Sequence, residues 1–85
     1  RVAFDPIKAR AAFSAVDLSA CTDARGHGHA TITINPDGVI SKIAIDSPKG
    51  LSQSAVNCIG DRLATAEVTP FSGNLVTTGT SYFVP

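Results

Sequence analysis

The sequence predicts an α+β fold: a three-stranded antiparallel sheet with two helices packed on one face, in the order helix, strand, strand, helix, strand. Three observations carry this. Residues 28–45 alternate apolar and polar on both sides of Asn35-Pro36-Asp37-Gly38, the pattern of a β-hairpin. Two further segments place apolar residues at helical spacing, and the last ten residues are rich in Val, Thr, Tyr and Phe, which suit a strand. Because a helix separates that strand from the hairpin, the chain must cross one face of the sheet to pair it, and both helices must cover the same apolar face.

The first helix begins at Asp5-Pro6, with Asp as the cap and Pro at the first helical position, where its missing N–H costs nothing. Ala9, Ala12, Phe13 and Val16 then form one stripe, Phe4 is placed to staple over Ala9, and Lys8 and Arg10 face water. Residues 17–28 form a connector whose buried points are Leu18 and Cys21. In the hairpin, Ala30, Ile32 and Ile34 share one face of the first arm. On the second, Val39, Ile43 and Ile45 share a face with Ser41, while Lys42 and Asp46 point the other way. Pro36 presets φ at the bend and Gly38 supplies positive φ at its end.

After a break over residues 46–50, a second helix is predicted from Ser52 to Ala66, burying Val56, Ile59, Leu63 and Ala66 with Cys58 on the flank. Gly60 within it costs up to about 1 kcal/mol relative to Ala; plain tolerance of that cost is the default explanation, and close approach to another backbone is the alternative. Val68 to Phe71 leaves the helix extended, with Phe71 as a core plug rather than a binding loop. Residues 72–74 turn, and Leu75 to Val84 is the third strand.

Residues 1–85 read as a single small domain, and a chain of that length buries only about 60 to 65% of its unfolded surface, so its core benefits from a staple. Cys21 and Cys58 can supply one. They lie about 37 positions apart, and a bridge closing such a loop would stabilise by roughly 4 kcal/mol in the chain-entropy model. The bridge carries an oxidising compartment with it; the alternative is a pair of buried free thiols in a cytosolic domain. Seven Lys and Arg balance seven Asp and Glu, and no basic stripe with interleaved aromatics appears, which argues against nucleic acid as a partner. No apolar run is long enough to insert in a bilayer. The absent initial Met suggests a domain cut from a longer parent.

Candidate chemistry is sparse. His27 and His29 invite a metal reading, but no carboxylate stands at ligand spacing beside them in the sequence, so they read as polar residues leading into a strand and no metal or cofactor is expected. No nucleophile elbow or paired carboxylates point to an enzyme. The last strand is different. From Val76 to Tyr82 it is polar on much of both faces, with Gly79 in its middle, and such a segment suits a sheet edge whose backbone groups stay free. The expected partner-binding positions on that edge are Val76, Thr78, Thr80 and Tyr82, with an extended partner segment added alongside.

Taken together, the elements resemble the TonB C-terminal domain family. The residues that carry the resemblance are Phe13, Gly28 with the Ile32 and Ile34 strand, Pro36-Asp37-Gly38 with Val39, Ile43 and Ile45, the helix through Leu63, Pro70-Phe71, and a final strand ending at Phe83. The order Cys21, Gly28-His29, Cys58-Ile59, Pro70-Phe71-Ser72-Gly73 is similar to the cysteine-paired AgmX/GltJ type found at the ends of myxobacterial envelope and gliding-motility proteins. The helix end Arg62 to Glu67 departs from the aromatic-rich version of energy-transducing TonB proteins. The resemblance implies a periplasmic interaction module at the C-terminal end of an inner-membrane-anchored parent. Such a module links a proton-driven motor to an extended segment of an outer-membrane or periplasmic protein, as in gliding motility. The alternative is a structural envelope module that docks on peptidoglycan or pairs with itself through the same edge.

Overall fold

The computed structural model describes residues 1–85 as seven elements: β1 (Val2–Ala3), α1 (Pro6–Ser14), β2 (Gly26–Ile34), β3 (Ile40–Ser47), α2 (Gln53–Leu63), β4 (Phe71–Ser72) and β5 (Val76–Val84). The main sheet is antiparallel with strand order β3-β2-β5, so the central strand is the first arm of the hairpin. Its inner face, Ala30, Ile32 and Ile34, is wholly buried under Ala9 and Phe13 of α1 and Ile59 and Leu63 of α2, in one continuous core. Both helices therefore lie on one face, α1 beside β5 and α2 beside β3.

Local chemistry explains the helix starts. The Asp5 carboxylate accepts from the Ile7 and Lys8 N–H groups at 3.0 and 3.2 Å, and the Ser52 hydroxyl accepts from Ala55 N–H at 3.1 Å. The second helix stops at Leu63, three residues before the expected end, and the Thr65 hydroxyl donates to the Arg62 carbonyl just beyond it. Ala55 joins its buried stripe, while Val56 and Ala66 are only half-buried. At the hairpin bend, Gly38 N–H donates to the Asn35 carbonyl at 2.8 Å and φ of Gly38 is 87°. A side chain there would also strike the Val68 carbonyl, so this glycine is required twice over.

In the sheet, two further expectations change. The first strand begins at Gly26, two residues earlier, because β5 is long enough to pair with it there. On the second arm, Thr33 pairs with Lys42 but Ile34 pairs with Ile40, which leaves Ser41 as an extra residue in a β-bulge. The bulge reverses the alternation: Ile40 takes the inward place and Val39, expected to face the core, is 56% exposed. Phe4 finds its ring partner in Phe71, edge-on with centroids 5.0 Å apart, beside a two-residue parallel ladder of β1 with β4. Phe71 is 1% exposed and is the core plug the sequence predicts.

Cys21 and Cys58 form a disulfide, with Cα atoms 5.6 Å apart, tying the connector after α1 to the flank of α2. No helix is long and apolar enough to cross a membrane.

Candidate interaction edge and the open face of the sheet

A sheet of three strands has two edges, and the two here are built differently. Along β3, Lys42 and Asp46 point outward and the register with β2 shifts twice, between His29 and Ala30 and between Thr33 and Ile34. Charges and bulges of this kind discourage another strand from pairing. The β5 edge has none of these devices. It runs nine residues in unbroken register with β2, from Gly26 opposite Val84 to Ile34 opposite Val76, and contains no charged residue and no Pro. No backbone-to-backbone hydrogen bond joins residues 76–84 to anything outside the sheet. Leu75 and Phe83, 57% and 52% exposed, stand at its two ends.

The four edge positions expected from the sequence share one face of β5, and it is the inner one. Val76 and Thr78 are half-buried opposite Ile34 and Ile32, and Thr80 and Tyr82 are buried opposite Ala30 and Gly28. The Tyr82 hydroxyl donates to the Ser47 carbonyl at 2.9 Å, and burial pushes its pKa up from the usual phenol value. Gly28 makes this seat: a side chain there would collide with the Tyr82 ring. On the opposite, open face of β5 lie Thr77, Ser81 and Phe83, with Gly79 between them. Both faces of this strand are polar in sequence, so alternation alone did not separate them.

That open face carries a polar cluster. His29 Nδ1 lies 2.8 Å from Asp46 Oδ2, and the Thr31 hydroxyl donates to the same oxygen at 2.6 Å. The Thr31 hydroxyl, then the His29 imidazole, hold the Asp46 carboxyl below the usual carboxylate range. A carboxylate therefore does stand beside His29, although none neighbours it in the sequence. It comes from the neighbouring strand, where Asp46 is the extra residue of the second bulge. The His29 ring leans over Gly79, which pairs with Thr31, and so away from His27. His27 itself stacks on Phe83 with centroids 4.7 Å apart. The two imidazoles diverge, and no group of three or more His, Cys, Asp or Glu side chains comes together as metal ligands. Thr33 and Thr77 hydroxyls meet at 3.3 Å to complete the row.

What this arrangement can do chemically is pair backbone groups along β5 and offer hydroxyls, an imidazole and an aromatic ring beside them. Comparison with protein-family models, curated proteins and solved structures finds no match to this chain.

Proposed function

We propose that this domain is a periplasmic protein interaction module of the TonB C-terminal type, which takes an extended partner segment as an added strand along β5. The observation that carries the reading is the contrast between edges: β3 is guarded by charges and bulges, while β5 is long, regular, uncharged and paired on one side only. Added-strand binding draws its affinity from main-chain hydrogen bonds and its selectivity from alternate side chains. Two further features support it. The two helices and three long strands run helix, strand, strand, helix, strand with both helices on one face, which fits the family resemblance, and the Cys21–Cys58 bridge suits an oxidising compartment. In the same reading the parent chain anchors in the inner membrane and passes work from a proton-driven motor outward, as in gliding motility. Load along β5 would be shared by many hydrogen bonds at once.

NMR titration with periplasmic segments of outer-membrane proteins tests the proposal. Shifts should concentrate on residues 76–84; shifts confined to α1 and α2 would overturn it. The uncharged edge also permits a second reading, in which two copies pair through β5. Sedimentation across a concentration range separates the two, since self-pairing requires a dimer without any added peptide.

A further inference from the structure

We infer that His29 is a specificity-determining residue of the β5 edge: its Nε2 selects a hydrogen-bond donor on the partner residue that lies opposite Gly79. This inference rests on strand addition at β5. Glycine in mid-strand weakens a sheet and marks a place where something approaches closely. Here the approaching group is known. A Cβ on Gly79 would stand 2.7 Å from His29 Nε2 and 2.9 Å from Cε1, so the imidazole occupies the space a side chain at 79 would need.

The direction of the ring follows from the topology. Strand β2 lies between β3 and β5, and Nδ1 is held on the β3 side by Asp46. The two ring nitrogens face opposite ways, so Nε2 is aimed across Gly79 toward the free edge. Its chemistry follows as well. An ionised carboxylate only accepts, so Nδ1 carries the proton in that hydrogen bond, and in a neutral imidazole the other nitrogen is then an acceptor. No protein group bonds Nε2. Thr31 fixes the Asp46 oxygen from the other side, which holds the ring in this orientation. Residues directly opposite on neighbouring strands have Cβ atoms about 5 Å apart. A partner side chain opposite Gly79 therefore meets the imidazole instead of a side chain of β5. Seryl, threonyl, lysyl and arginyl side chains satisfy Nε2; aliphatic ones leave it desolvated, and acidic ones face both it and Asp46.

A displayed library of random nonapeptides, selected on the intact disulfide-bonded domain, tests this. Binders are mapped by amide shifts on residues 76–84, and the residue opposite Gly79 is identified from interstrand Hα–Hα contacts. Donor-bearing residues should be enriched there, and replacing the donor with Ala should weaken binding about fivefold. With His29→Ala, or with His29→Phe, which keeps a flat ring without an acceptor, peptides should still add along β5 and that penalty should vanish. Equal selection in the variants, or peptides that add at β5 with no preference at this position, would overturn the role of His29 and leave strand addition standing. No peptide at β5 at all would overturn both.

Discussion

Gly60 and Gly28 both sit inside regular elements where glycine is unfavourable, yet a methyl group added at each would meet a different environment. At Gly60, in α2, nothing lies within 4 Å of the position a Cβ would take. Gly60→Ala should therefore stabilise the domain by up to about 1 kcal/mol, read as a higher urea midpoint at unchanged slope. At Gly28 the same methyl would strike the Tyr82 ring and hydroxyl and stand 2.5 Å from the Ser47 carbonyl. The phenol cannot yield without losing its hydrogen bond to that carbonyl, so Gly28→Ala should destabilise by about 2 to 3 kcal/mol. A sequence shows that a glycine interrupts a helix or a strand but not what stands above it. For that reason only the structure separates the two readings of Gly60, where the glycine is merely tolerated, while the approach at Gly28, where the sequence suggests only the start of a strand, is tight.

The hairpin shows where element-level pattern reading works and where it stops. Alternation along residues 30–34 identifies the buried face of β2 correctly, since each inward residue there is wholly buried. On β3 the same rule holds for Ile43, Ile45 and the outward Asp46 but fails at the start of the strand, because a bulge inserts a residue without any mark in the run Ile40-Ser41-Lys42. The bulge at Asp46 has an electrostatic consequence. Its carboxylate is stabilised in the folded state by Thr31 and His29, so its pKa is depressed below the ordinary value of 3.8. Asp17, held by the Ser19 backbone N–H, is depressed as well. A depressed carboxyl contributes stability above its unfolded pKa and loses that contribution as pH falls through the folded one. Urea midpoints should accordingly fall as pH drops below the ordinary carboxylate value, and Asp46→Asn should flatten that part of the profile. An unchanged acid limb in the variant would show that the cluster adds nothing to stability.

At the scale of the whole molecule, the order of the two helices and three long strands, the hairpin bend, Phe71 and the cysteine pairing were legible, because each rests on local turn chemistry or on the simple count of two cysteines, while the short parallel ladder of β1 with β4 was not. The cross-strand cluster was not, since His29, Asp46 and Gly79 come from three strands and share no local motif. How so small a chain holds together is the remaining question. Only 14 of 85 residues are buried, so a single core has little reserve, and the bridge closing 37 residues joins two parts of it, the buried Cys21 of the connector and the flank of α2. Restricting the unfolded chain by such a loop contributes about 2 to 4 kcal/mol, a large share of the roughly 5 to 15 kcal/mol that domains possess. The β5 edge lies on other elements and keeps its chemistry when the bond is cut. The Cys21→Ser, Cys58→Ser double variant should thus melt markedly lower while binding any β5 peptide with unchanged affinity wherever it is folded. A variant that keeps its melting temperature would show that the packed core alone suffices. Weaker binding by the still-folded variant would show that the bridge shapes the edge as well as supporting the core.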